Sequence, residues 1–251
     1  SLMAGLDDYL REMQAWWSAH EPDDEEDDEE DEDEDEDEAP QLDAIAETLY
    51  ENSRKQRMNH DKQLGEFAAS LVVLTKIVPT MLTKSGYELD GDDRAVLDSD
   101  IFRLEVLAYA LARSGRKLLN RIGKEEAGVF VACVLGEIVA VYCARIESLE
   151  WIQLSNGPER ISQARQNSKL YREFESRVKE YNKCNSAGDF VGDFISSLLG
   201  PAHQVIFDDE DSDEITEAMQ YVVENFFDPA GTALVLDGVD FMIDSDIRKL
   251  F

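Results

Sequence analysis

Residues 127–144 read AGVFVACVLGEIVAVYCA, which is the longest apolar run in the chain. The run falls short of the ~20 residues that a bilayer requires, and it contains Gly128, Gly136 and the charged Glu137. It therefore predicts a buried core helix rather than a membrane span. We expect it to be the most buried continuous segment of the protein.

Apolar residues at helical spacing continue on both sides of this run. Proline, glycine and capping residues separate the successive stripes, and Pro79, Gly123 and Pro158 each mark a predicted helix end or start. The pattern predicts an all-α bundle of six or seven core helices. The predicted helices cover residues 42–50, 64–77, 99–122, about 124–154, 158–183, 190–199 and 212–227.

Residues 232–243 do not follow this pattern clearly. Two short apolar runs flank Asp237-Gly238, an arrangement typical of a small C-terminal β-hairpin with a two-residue turn. Because a lone hairpin is marginally stable in water, either the hairpin packs on the helices or the stretch is itself a helix.

The charge of the chain is concentrated at its two ends. The 251 residues include 24 Lys or Arg and 56 Asp or Glu, giving a net charge of −32. Residues 1–40 carry −19, residues 41–188 carry zero and residues 189–251 carry −13. Halophilic adaptation would spread acidity over every exposed face, so it does not explain this distribution. A field of this sign argues against direct nucleic-acid binding and favours a basic protein partner.

The strongest concentration of charge is Asp23–Glu38, sixteen consecutive carboxylates. Such a run repels itself and buries nothing, which is typical of an acidic, disordered-type segment. The sequence thus predicts an amphipathic helix in residues 1–20, an acidic linker in 21–40 and a single helical domain in 41–251. The run is either a solubilising linker or a site for a basic partner. The candidate partner-binding residues are Asp23, Asp24, Glu25, Glu26, Asp27, Asp28, Glu29, Glu30, Asp31 and Glu32.

Two features inside the neutral middle segment are candidate sites. One is a basic patch with no intervening acid, consisting of Arg113, Arg116, Lys117, Arg121 and Lys124. These bases either complement the end of a helix dipole, or form a surface that contacts phosphate or is covered by the acidic run. The other is Glu137, a candidate buried carboxylate. If its helix face is buried, it requires a partner, and Arg103, Arg113 or Arg145 could serve. Otherwise it is exposed at the edge of the bundle, or it has a catalytic or ligand role.

Cysteine and histidine usage argues against metal and redox chemistry. Cys133, Cys143 and Cys184 form no CxxC pattern, which indicates buried thiols and a reducing, cytoplasmic compartment. The three histidines lack the spacings of zinc or di-iron sites. Residues 208–214 resemble a calcium loop in composition only, since they lack its central glycine and final glutamate. We therefore predict no metal and no cofactor.

These observations favour a non-enzymatic protein-interaction module that uses acidic segments to bind basic partners. Two versions are an inhibitor and a chaperone of a cationic, nucleic-acid-acting protein. The alternative is an all-α, metal-dependent hydrolase of phosphate esters or nucleotides. It would use two paired carboxylates on one helix face, Asp189 with Asp193 or Glu147 with Glu150.

Overall fold

The computed structural model describes residues 42–54, 59–149, 157–198 and 212–251. All regular elements within these ranges are helical, so the all-α class is confirmed. The predicted N-terminal helix (1–20) and acidic linker (21–40) lie outside the described residues. So does most of the acidic stretch 208–214.

The described ranges divide into more and shorter helices than the periodicity suggested, and the bundle of six or seven core helices is not confirmed. The elements are α1 Leu42–Arg54, α2 Asn59–Leu74, a 3₁₀ turn Thr75–Ile77, α3 Val78–Lys84, α4 Gly91–Asp98, α5 Asp100–Ile122, α6 Lys124–Cys133, a π-helical segment Val134–Val139, α7 Ala140–Ile146, α8 Gly157–Asn167, α9 Lys169–Lys183, α10 Ala187–Leu198, α11 Ser212–Phe226 and α12 Pro229–Leu250.

The central helix is α5, which packs against α6, α9 and α12. Ser99 caps its start by accepting a hydrogen bond from the amide of Phe102, and Gly123 ends it with a φ of 93°. Residues 101–112 are all buried, which makes α5 more completely enclosed than 127–144. The prediction that 127–144 is the most buried segment was therefore wrong.

The physical reason is that α5 buries charged residues, while part of the apolar run is exposed. Helix α5 contains Arg103 and Glu105, which lower its apparent hydrophobicity, yet both are buried together with hydrogen-bonding partners. In the apolar run, by contrast, Gly128, Val129 and Ala132 are exposed. The burial of a helix depends on its position among neighbouring helices, so the apolar content of its sequence predicts that burial only in part.

The apolar run is one continuous helical stretch, α6 to α7, that contains the π segment. Within the π segment, Gly136 lies so close to α8 that an added Cβ would be 2.7 Å from the carbonyl oxygen of Gly157. Only glycine permits this approach. The stretch ends at Ile146, short of the predicted Leu154, and Ser148 follows in the left-handed region with a φ of 53°.

The predicted hairpin at 232–243 was wrong, because the whole stretch belongs to helix α12. Its buried residues recur at helical spacing, as Val235, Val239 and Met242 show. The Asp237-Gly238 pair lies in mid-helix, where Gly238 packs against the side chain of Met81. The glycine serves close helix packing here, while in the sequence it resembled a turn.

Two predicted boundaries also shift. Pro79 does not end a helix: it lies in the first turn of α3, where an amide hydrogen has no intrahelical partner to lose. The predicted helix 158–183 is two helices, because Ser168 is extended and caps α9 by accepting from the amide of Tyr171. A serine that bonds its own backbone competes with helix continuation.

Two helical stretches in the described part of the chain are long and apolar enough to cross a membrane by length and composition. They are Lys62–Lys84 and Lys124–Ile146, and 72% and 61% of their most apolar windows are buried inside the protein. Core helices of soluble proteins pass the same test, so this is weak evidence for a membrane span.

Candidate functional site

The basic half of α5 faces the acidic side of α12. Arg113 binds Asp240 in a bidentate pair, with Nε and Nη2 each 2.9 Å from a carboxylate oxygen. One turn later, the Nζ of Lys117 lies 2.8 Å from Asp244. The hydrogen bond that Arg113 donates to Asp240 raises the pKa of Arg113, although burial acts in the opposite direction. These two bases hold two helices together.

Two more bases of the predicted patch bind backbone carbonyls. Arg116 donates to the carbonyl oxygens of Asn182 and Cys184, at 3.1 Å for the latter. These carbonyls belong to the end of α9, where the last carbonyls of a helix lack intrahelical donors. Arg121 donates to a backbone oxygen of Phe251 at 3.3 Å. Both arginines therefore donate to backbone carbonyls at or just beyond helix C-termini.

Lys124 is the exposed first residue of α6. The five bases thus do not act as one surface. Four of them contact carboxylates or carbonyls elsewhere in the fold. Lys124 and Arg116 both line a surface groove between α5, α6 and α9.

The spacing of the charged residues in the sequence could have predicted the pairing of α5 with α12. Asp240 and Asp244 are four apart, and so are Arg113 and Lys117. Residues four apart lie on one face of a helix, so two helices with these pairs match in charge and period. In a hairpin at 232–243, Asp240 and Asp244 would not share a helix face, so the hairpin interpretation does not predict their pairing with Arg113 and Lys117.

The most enclosed charge in the described residues is Arg103, which is 1% exposed. Its guanidinium binds both carboxylate oxygens of Asp43 at 3.0 and 2.7 Å, the hydroxyl of Thr75 at 2.8 Å and the carbonyl of Val72 at 2.9 Å. Burial alone would raise the pKa of Asp43, but the hydrogen bonds from Arg103 and Lys76 hold it below its ordinary value. This cluster joins α1, α2 and α5.

A buried carboxylate, Glu105, lies two residues further along α5 and is 4% exposed. It accepts a hydrogen bond from the hydroxyl of Tyr181, and Nε of Arg177 lies 3.4 Å away. The Arg177 guanidinium also stacks over the Tyr181 ring at 5.1 Å. Burial, and then the Glu105 charge, raise the pKa of Tyr181. The carboxylate is paired within the protein and joins α5 to α9.

Glu137 pairs with a base that the sequence did not suggest. Its Oε2 lies 2.7 Å from Nη1 of Arg160, at the start of α8, and its side chain is 37% exposed. None of the three proposed partners fills this role: Arg103 and Arg113 bind carboxylates elsewhere, and Arg145 is an exposed residue of α7. Glu137 forms an ion pair and is only partly buried, because its side chain lies at the edge where α8 packs.

The three cysteines form no disulfide. Burial raises the pKa of Cys133 to about 12 and that of Cys184 to about 11, and it also raises the pKa of Cys143. All three therefore stay protonated at neutral pH and are poor nucleophiles.

The carboxylate pairs that would serve a hydrolase make other contacts. Asp189 caps the start of α10 by accepting from the amides of Asn185 and Ser186 at 3.2 and 3.0 Å. Asp193 accepts from the Cys184 thiol at 3.2 Å. Glu147 accepts from two amides at the start of α9, and its proposed partner residue 150 lies outside the described residues. Within the described ranges, no three His, Cys, Asp or Glu residues are placed to hold a metal ion.

One buried acid contributes a testable pH dependence. Asp246 in α12 is 7% exposed and accepts a hydrogen bond from Ser70 at 3.3 Å. Burial raises its pKa above the ordinary 3.8, although Lys249 and Ser70 act in the opposite direction. The folded protein therefore holds this proton at pH values where the unfolded chain has lost it. As the pH falls towards 3.8, proton uptake by Asp246 therefore raises the free energy of unfolding of the wild type.

The variant Asp246→Asn cannot take up this proton. Relative to wild type, it should gain stability as the pH rises from about 4 to 7, by about 1.4 kcal/mol for each unit by which the pKa is raised. Urea unfolding across this range measures the difference, and Asp237→Asn, exposed on the same helix, controls for losing one negative charge. A difference between Asp246→Asn and wild type that does not change with pH would contradict the prediction.

No protein-family model, curated protein or solved structure matches this chain.

Proposed function

We propose that this protein is a non-enzymatic interaction module that binds basic protein partners through its acidic segments. The observation that carries the proposal is the run of sixteen carboxylates, Asp23–Glu38. The first ten, Asp23 to Glu32, are the proposed contact residues. A neutral middle segment separates this run from a second acidic region at the C-terminus.

The pairing of the core bases supports this proposal. Many of the cations in the described helices bind carboxylates on neighbouring helical elements, so their charge is already balanced. The acidic run is therefore in excess over the bases that could neutralise it. The pairs are Arg103–Asp43, Arg113–Asp240, Lys117–Asp244, Arg160–Glu137, Arg165–Glu175 and Arg177–Glu105.

The charge pattern also suggests what kind of basic partner fits. The run carries one negative charge per residue, as a nucleic-acid strand carries one per nucleotide. A protein surface that holds a phosphate backbone would be attracted to it, and electrostatic steering would speed the encounter at low salt. We therefore propose an inhibitor or a chaperone of a cationic, nucleic-acid-acting protein, and a cytoplasmic location.

The test measures binding of the full chain to a defined basic probe, purified core histones, by calorimetry at 50 and 200 mM salt. A variant with Asn and Gln replacing Asp23–Glu38 should bind at least about tenfold more weakly, since at least 1.4 kcal/mol of attraction is lost. Its affinity should also depend less on salt. Duplex DNA should compete with the wild-type chain for the probe.

A second variant separates the two acidic ends. Replacing the acids of 208–214 with Asn and Gln leaves the run intact, and we expect a smaller loss of affinity than in the run variant, because this stretch holds fewer carboxylates. Equal binding by the run variant and wild type would reject the proposal. Release of phosphate from nucleotides with added Mg²⁺, lost in Asp189→Asn, would support the hydrolase instead.

A further inference from the structure

An open groove of about 400 Å³ lies between helices α5, α6 and α9. The helices approach closely at its base, where a Cβ added to Gly115 would lie 3.2 Å from the side chain of Val131. Its surface is mostly apolar. The apolar lining residues are Leu111, Ala112, Gly115, Leu119, Ala127, Gly128, Val131 and Val178.

The apolar lining of this groove is open to solvent. Leu119, a lining residue of α5, is 46% exposed. In the part of the chain that the structure describes, Val129 and Tyr221 are the other large apolar residues with such exposure, and neither lines the groove. A contiguous apolar surface that is open to solvent is of the kind that marks an interaction site.

The polar edge of the groove is cationic. Arg116 and Lys124 line it together with Asn182, and no carboxylate of the described residues does. Arg116 is fixed in place by its hydrogen bonds to the carbonyls at the end of α9. Glu125 and Glu126 follow Lys124 in the sequence but are not part of the lining. A positive edge is notable in a chain with a net charge of −32.

We propose that this groove binds an amphipathic helix of a partner protein that places carboxylates beside its apolar ridge. The lining residues of α5 run from Leu111 to Leu119 at spacings of four, and they cover about 12 Å, or two helical turns. A groove of this kind receives side chains spaced three or four residues apart on the partner helix. The flanking carboxylates pair with Arg116 and Lys124.

This inference goes beyond the proposed function, because it concerns another surface and a partner of the opposite local charge. The partner helix need not be acidic as a whole. Carboxylates next to the ridge meet the two bases, while lysines on its far face reduce repulsion from the rest of the chain.

The test uses two labelled fifteen-residue peptides of identical composition and zero net charge. Both carry a leucine ridge, and one places Glu beside the ridge and Lys on the far face, while the other reverses them. Fluorescence anisotropy with the full chain at 150 mM salt should show tighter binding of the peptide with flanking Glu. Lys124→Glu should remove most of this preference.

A pair of glycine variants locates the binding site. A side chain at Gly128 would project into open space in the groove, so Gly128→Leu should block it without a clash. Gly192, exposed in α10 and equally open, provides the matched control Gly192→Leu. Both changes favour the helix, so the fold should survive. We expect Gly128→Leu to weaken binding at least about tenfold, and Gly192→Leu to leave it within about twofold.

Several results would overturn the proposal. These are equal affinity for the two peptides, equal binding by Gly128→Leu and Gly192→Leu, and no binding of either peptide. Co-sedimentation of the chain with phosphatidylcholine vesicles, lost in Gly128→Leu but not in Gly192→Leu, would assign the same face to lipid and reject a protein partner.

Discussion

Replacing Arg103 with methionine should lower the free energy of unfolding by about 3–5 kcal/mol, the cost typical of removing one partner from a buried ion pair. The Arg103 guanidinium is 1% exposed and donates to Asp43, Thr75 and the carbonyl of Val72. Methionine fills a similar volume but offers no donor. Asp43 then keeps only Lys76 as a charged partner among the contacts of the described helices. Guanidinium-induced unfolding followed by circular dichroism measures the loss.

The pH dependence of this variant gives a second readout. In the wild type the pKa of Asp43 lies below its ordinary 3.8, so the stability that this group contributes is present above 3.8 and is lost as the pH falls below it. The variant lacks the bond that lowers the pKa. The gap in stability between wild type and Arg103→Met should therefore narrow on acidification below about pH 4.

A surface pair provides the control. Arg165 binds Glu175 at 2.6 Å, as short as any contact that Arg103 makes, but the Arg165 side chain is 55% exposed. Exposed pairs contribute at most about 1 kcal/mol, so Arg165→Met should cost no more than that. Equal losses in the two variants would show that the Arg103 cluster is no more important than an ion pair at the surface.

Helical periodicity predicted the fold class and several element boundaries. Helix α5 was placed at 99–122 and is found at 100–122, because Ser99 and Gly123 are strong local signals at its two ends. The limits of such local signals are evident in α12. Asp237-Gly238 has the chemistry of a turn, and only the packing of Gly238 against Met81, far away in the sequence, explains its place in a helix.

The partners of charged residues could not be predicted in the same way. Glu137 binds Arg160, and Glu105 binds Tyr181 and Arg177, all from helices that follow later in the chain. Such pairings depend on which helix faces meet, and the sequence of one helix does not contain this information. The groove was even harder to predict from the sequence. Gly115 and Gly128 have no distinctive sequence context, and they form part of the groove only because α5 and α6 pack together.

The same dependence on packing leads to a sharp prediction within the apolar run. Phe130 and Val129 are neighbours in α6, and both are strongly apolar. In the structure Phe130 is fully buried and stacks on Phe67 of α2, with ring centroids 4.8 Å apart. Val129, about 100° away around the helix, is 48% exposed. Their contributions to stability should therefore differ greatly.

Phe130→Ala should lower the free energy of unfolding by about 3–5 kcal/mol, since it removes a buried ring and leaves a cavity between α6 and α2. Val129→Ala should change it by no more than about 0.5 kcal/mol, as is usual for an exposed position. Alanine favours the helix at both sites, so helix propensity cannot account for a difference in this direction. Urea unfolding of the two variants measures the contrast. If both lose the same stability, the orientation of α6 is wrong, and with it the placement of Gly128 and Val131 in the groove.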